Sequence, residues 1–184
     1  MPLETVHWGR PFEDTVAEVV ENLGHRRILV VCSNTLRRTT DTITRLENRL
    51  GDKVSGVFSQ CKEHTPLQSV LALADYARSI DPDVIVTVGG STPIDTVKIV
   101  QLALEQNLAT LDELRAIAGQ SNAAPTRLRQ IIVPTTLSGG EFTSFAGGTD
   151  LTTQTKHLFH GVNLCGQSFI LEPALTRQPP EWLL

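Results

Sequence analysis

The sequence predicts an α/β fold built on a parallel sheet with flanking helices, and three observations predict it. Short apolar runs rich in β-branched residues recur along the chain. Between them lie stretches whose apolar residues repeat at helical spacing. Strands alternating with helices of roughly 10–15 residues imply βαβ units and so parallel strands. The small polar residues gather just after apolar runs, at Ser33–Leu36, Gly89–Thr92 and Thr135–Gly140. In a parallel sheet such strand exits share one end, and ligands bind there.

The elements follow in order. Phe12, Val16, Val19, Val20 and Leu23 mark an amphipathic helix, with Gly24 at its expected stop. "RRILVVCSN" (Arg26–Asn34) is a buried strand followed by turn-forming residues. Ile43, Leu46 and Leu50 predict a second helix, ended by Gly51. Lys53–Phe58 is a weaker strand, and Pro66 opens a helix carrying Leu67, Val70, Leu71, Ala74 and Ala77. "DPDVIVTVGG" turns and then forms the clearest strand of the chain. A helix is expected over Asp95–Gln106, then a looser stretch with a short helix at "LDELRAIAG", then a strand at "QIIVPTT". From Phe142 onward the helical spacing fades. "KHLF" and "SFIL" read as short strands that pair in a small hairpin, and the tail "EPALTRQPPEWLL" is proline-rich. The chain reads as one domain, residues 1–184, with a βα core over about 1–140 and short strands and the start of a linker over 141–184.

Composition excludes several classes. The chain has 184 residues, 40% of them hydrophobic, enough for a substantial core. Charged residues make up 20% and the net charge is −4, which gives no support for nucleic-acid binding. No apolar window is long enough to predict a membrane span. The opening "MPLETVHWGR" has no charged-then-apolar signal pattern, so a cytoplasmic location is expected. Cys32, Cys61 and Cys165 are widely spaced and form no CxxC, which predicts reduced, unreactive thiols. His157 and His160 stand three apart but lack nearby acidic ligands, so no metal site is assigned within the chain. No catalytic residue is assigned either.

The loops carry the chemistry. Gly89 and Gly90 let backbone N–H groups approach an anion closely, and a helix starting near Pro93 offers its unpaired N–H groups and dipole. Ser91 and Thr92 add hydroxyl donors. Asp95 suits a helix cap or a sugar hydroxyl, and Lys98, one turn on, suits orienting the loop. The pattern is neither GxGxxG nor GxxxxGK[ST]. Thr135, Thr136 and Ser138, with Gly139 and Gly140, repeat the theme at another strand exit. Two such loops at neighbouring exits would face one crevice.

These residues resemble a known family. "VGGSTPIDTVK" is similar to the GGGSPxDxAK motif of the iron-containing alcohol dehydrogenases, and "VPTTLSGGEFT" to their PTTxxGSE motif. "FILEPALT", with Pro179 and Pro180 beyond it, resembles the V-I-D-P-x-L-T…P segment, and the opening through "VVCSNTL" resembles the first strand and flanking helices. The short loop Leu-Ser-Gly-Gly-Glu and "EHTP" (Glu63–Pro66) are closest to the maleylacetate reductase branch. One departure is Ser91, which adds a Cβ where the motif has its third glycine.

The resemblance implies a Rossmann-like domain binding NAD or NADP, the reduced form serving as hydride donor to a small carbonyl or a maleylacetate-like double bond. It implies that Gly89, Gly90, Ser91 and Thr92 hold the pyrophosphate. Thr135, Thr136 and Ser138 would contact the adenine-ribose and diphosphate side, and Lys156 a ribose. His64 and Thr65 would lie close to the nicotinamide, and Ser33, Asn34 and Leu36 beside the adenosine ribose. Ser33 stands where many NAD-preferring members have Asp, and Arg37 and Arg38 are near, so NADPH is expected to be tolerated. The family's helical second domain, which holds Fe²⁺ or Zn²⁺ in metal-dependent members, is expected to lie beyond this chain, as a partner domain or partner chain. A homodimer of the complete enzyme is a further expectation. Two other readings stand beside this one: a non-catalytic nucleotide-binding module, and a wider relative such as a glycerol dehydrogenase or 3-dehydroquinate synthase.

Overall fold

The computed structural model describes residues 3–122, 126–162 and 164–177. In chain order its elements begin with β1 (Thr5–Trp8), α1 (Phe12–Asn22), β2 (Ile28–Ser33), α2 (Asn34–Thr39), α3 (Thr42–Leu50) and β3 (Val54–Cys61). Then come α4 (Leu67–Ile80), β4 (Val84–Gly89), α5 (Ser91–Glu105), α6 (Leu111–Ile117), β5 (Ser121–Asn122) and β6 (Arg129–Pro134). The last are β7 (Phe145–Asp150), β8 (Thr155–Gly161) and β9 (Ser168–Leu171).

Six strands form one sheet in the order β1-β9-β6-β4-β2-β3, and every pairing in it is parallel. Alternate residues of a strand face opposite sides. Ile28, Val30, Val84, Val86 and Val88 therefore meet α1 and α3, through Val16, Val20, Ile43 and Leu46. Leu29, Val31 and Ile85 meet α4 and α5, through Val70, Leu73, Val97 and Val100. Being covered on both faces explains why the central strands read as unbroken apolar runs. Sheet order also sets the site: β2 leads outward to β3, whereas α4 returns the chain to β4 on the other side of β2, and β6 and β9 follow there. The direction of winding reverses between β2 and β4, and the crevice at their carboxyl ends is where open α/β sheets take ligands.

A second sheet orders its strands β5-β8-β7, with β7 and β8 forming an antiparallel hairpin. It lies flush on α4 and α5. A Cβ on Gly148 would come within 2.7 Å of Leu67, 2.9 Å of Ile99 and 3.2 Å of Phe159.

Two expectations change, and two elements are new. A hairpin is present, but "KHLF" pairs with Phe145–Asp150, while "SFIL" joins the main sheet between β1 and β6. The burial of Ser168, Phe169 and Ile170 suits an inner strand, yet an apolar run does not name its partner. α5 starts at Ser91, four residues before Asp95, because the opening Ser-Thr-Pro turn is already helical. β1 is an exposed edge strand with no apolar run, and α2 is a short polar helix, so hydrophobic spacing signals neither.

Candidate functional site

The exits of β4 and β6 are packed backbone to side chain. Gly89 and Pro134 are register partners, and the Thr135 N–H donates to the Gly89 carbonyl at 3.0 Å. A Cβ on Gly90 would stand 2.8 Å from Thr136 Oγ1 and 3.0 Å from its Cγ2; one on Gly89 would stand 2.5 Å from Pro93 Cγ. Both glycines are thus required by packing as well as suited to an anion. Gly90 precedes α5 and caps it without a side chain, which leaves the opening N–H groups and helix dipole free for a ligand's charge. Ser91 is the first helical residue and is exposed, so the Cβ that replaces the third glycine is accommodated.

The second loop is held from beneath. Lys98 is fully buried, and its Nζ donates to the carbonyls of Gly140 (2.6 Å) and Phe145 (3.1 Å) and to Thr143 Oγ1 (3.0 Å). Burial pulls its pKa down, with Asp95 at 3.9 Å opposing. Lys98 orients the Gly139–Phe145 segment rather than the loop that precedes its own helix. Gly139 turns the segment at a φ of 68°, in the left-handed region that glycine tolerates. Thr135 is buried, Thr136 half-buried and Ser138 exposed. Glu141 is buried, and its Oε2 has no hydrogen-bond partner.

Asp95 ties the hairpin to α5, its Oδ2 accepting from the Gly147 N–H at 3.1 Å. Burial raises its pKa, against the Gly147 hydrogen bond and the charges of Lys98 and Lys156. The Lys156 chain lies over Gly147, where an added Cβ would come within 2.7 Å of its Cε. Asp95 and Lys156 therefore stand on the same side of α5.

At the exit of β3, His64 and Thr65 take φ values of 63° and 50°. A left-handed β-branched residue is rare, and one preceding proline is rarer still. The Thr65 side chain reaches the Thr92 carbonyl at 3.4 Å, which brings this corner against the first turn of α5. At the exit of β2, Ser33 caps α2 and its Oγ accepts from the Leu36 N–H at 3.1 Å. Asn34 is exposed, and Leu36 packs on the core beneath. Arg37 pairs with Glu47 at 3.6 Å.

The structure thus gathers Thr65, Gly89, Gly90, Ser91, Thr92, Asp95, Thr135 and Thr136 around the start of α5, with Lys156 lying over Gly147 and His64 exposed next to Thr65. Ser33, at the end of β2, is the register partner of Cys61 in β3, and Asn34 and Leu36 follow it in α2, so they are joined to the rest only through the β2–β4 pairing that ends at Cys32 and Val88. Sequence reasoning missed Thr149 and Gly147; paired glycines inside a strand signal close backbone approach. Among the described residues no cluster of His, Cys, Asp and Glu that could hold a metal is found. Burial pushes the Cys32 and Cys61 thiols up to about 12, so neither is a nucleophile. No helix among the described residues is long and apolar enough to cross a membrane. Trp182, Leu183, Leu184, Pro179 and Pro180 lie outside the described residues.

Comparison with known proteins agrees with this fold. The family profile for iron-containing alcohol dehydrogenase matches residues 4–173. The dehydrogenase ALT3 of Alternaria alternata is 34% identical over 167 residues, which are 87% of this chain and 43% of that protein. The crystal structure of maleylacetate reductase from Rhizobium sp. strain MTP-10005 superimposes with a TM-score of 0.76 at 26% identity, covering 98% of this chain and 44% of that one. The fold also matches sulfoacetaldehyde reductase from Bifidobacterium kashiwanohense, solved in complex with NAD+, with a TM-score of 0.87 at 22% identity over 99% of this chain and 47% of that one. The chain spans less than half the length of the relatives it matches. With that family profile matching most of its length, and its strand-exit loops packed as described, the chain belongs to the iron-containing alcohol dehydrogenase family.

Proposed function

We propose that this chain is the nicotinamide-nucleotide half of a reductase that transfers hydride to a small carbonyl or a maleylacetate-like substrate. The observation that carries the reading is the junction of Gly90 and Thr136 at the uncapped start of α5, beside the switch between β2 and β4. A diphosphate there would be met by main-chain N–H groups and by the hydroxyls of Ser91, Thr92, Thr136 and Ser138. His64 and Thr65 form the nicotinamide side, Lys156 and Asp95 serve the nearer ribose, and Ser33, Asn34 and Leu36 the adenosine ribose. NAD(P)H supplies the hydride when bound, and the chain's part is to bind, orient and shield it. Substrate-binding groups, and Fe²⁺ or Zn²⁺ where the enzyme uses one, belong to a helical half outside these residues, so no step is assigned to a metal.

The β2 exit bears on cofactor choice. Ser33 spends its hydroxyl on the α2 cap and carries no charge to repel a 2′-phosphate, while Arg38 is exposed in the last turn of that helix. NADPH should bind within a hundredfold of NADH, on the order expected without a discriminating carboxylate. Fluorescence titration of the intact protein with both cofactors tests this. Absence of saturable NADH binding would sink the nucleotide reading, and a larger gap would sink the dual preference alone. A second reading stands beside it, a nucleotide-binding module without turnover. Native mass spectrometry of the protein from its source separates the two: a helical partner chain or a longer polypeptide supports the reductase, and the 20.1 kDa species alone supports the module.

A further inference from the structure

We infer that Thr149, on the hairpin, is a positioning residue that sets the nicotinamide side of the site by holding His64 and Thr65 in their left-handed conformations. The inference rests on the nucleotide reading above and adds a residue to it. Two successive non-glycine residues with φ of 63° and 50° do not hold that shape unaided. Thr65 also precedes Pro66, whose ring normally drives its predecessor to extended backbone. Both carbonyls of the strained pair turn to one residue: Thr149 Oγ1 donates to the His64 carbonyl at 2.8 Å, and the Thr149 N–H donates to the Thr65 carbonyl at 2.9 Å. Thr149 and Pro66 are joined as an isolated parallel bridge, so β7 extends to the start of α4.

The same strand is anchored at the site from its other end. Gly147 donates to Asp95, and Thr149 is the register partner of Lys156. One hairpin therefore fixes His64 and Thr65, Asp95 and Lys156 relative to α5. The Thr149 hydroxyl is the removable part of the clamp, because its N–H remains after substitution. Without it, the His64 carbonyl loses its donor, and the backbone that carries the exposed imidazole loses that hold. The diphosphate cradle at Gly89–Thr92 keeps its own contacts.

The test compares NADH with ADP-ribose, which lacks the nicotinamide, in titrations of the intact protein. Thr149→Val should weaken NADH about fivefold, the loss of one solvent-exposed hydrogen bond, and change ADP-ribose less than about twofold. Thr149→Ser, which keeps the hydroxyl, should restore NADH affinity to near wild type. Thr149→Ala adds no bulk and should reproduce the valine pattern if the valine variant folds poorly. Equal weakening of both ligands, or no change in either, would overturn the inference while leaving the nucleotide reading intact. A wild type that binds neither ligand would overturn both.

Discussion

Gly90 shows how one missing atom joins a fold to its site. Both branch atoms of Thr136 occupy the space a Cβ would need, so rotating that side chain exchanges one close contact for the other. Gly90→Ala should therefore cost about 1–3 kcal/mol of stability through overpacking. It should also weaken NADH binding, because relief of the clash separates the two loops. Thermal melting and nucleotide titration check the two effects together; a variant as stable as wild type would show that the junction is looser than drawn. The glycines were legible in the sequence as sites of close approach. The Thr136 contact was not, because it joins residues 46 positions apart, the difference between 136 and 90. Lys98 was legible only as a helper of a loop; its complete burial and its three acceptors depend on where β7 and the preceding turn come to rest.

Among the elements, α6 has the fullest local specification. Thr110 and Glu113 form a capping box: Thr110 Oγ1 accepts from the Glu113 N–H at 3.3 Å, and the Glu113 carboxylate accepts from the Thr110 N–H at 2.9 Å and the Ala109 N–H at 2.8 Å. These donors hold the Glu113 carboxyl below its ordinary value of 4.5. A depressed carboxylate adds stability that is complete above the unfolded value and disappears as pH falls through the folded one. Glu113→Gln should therefore lower the melting temperature at neutral pH, and the gap from wild type should close as pH drops below 4.5. Melting curves across the acid range check this; a gap independent of pH would mean that the charge contributes nothing. The hairpin is the opposite case. Its strands were visible as short apolar runs, but the true partner of "KHLF" is a glycine-containing stretch with little apolar character. Pairing was decided by the fit of Gly148 against Leu67 and Ile99.

Across the whole molecule, large apolar side chains remain open along one side of the site. Leu137, Phe142 and Phe145 are 74%, 58% and 47% exposed, and the Phe142 ring stands edge-on to Phe169 at 5.1 Å. Apolar patches of this kind mark surfaces that another body covers. The 184-residue chain made alone should bind a hydrophobic dye and self-associate, and Phe142→Ser with Phe145→Ser should reduce both. Dye fluorescence and light scattering measure this. A monomer that binds no dye would argue against a covering half.

Local chemistry in the sequence was enough to determine the parallel α/β class, most helix and strand positions, and the loops that line the crevice. Each depends on periodicity, on turn residues, or on a motif contained in one short stretch. Tertiary structure alone decided that "SFIL" enters the main sheet, that Lys98 points inward, and that Thr149 holds the strained corner at His64 and Thr65. Those outcomes are contacts between distant segments. They are selected by which surfaces fit once the sheet has assembled, and no local pattern encodes that fit.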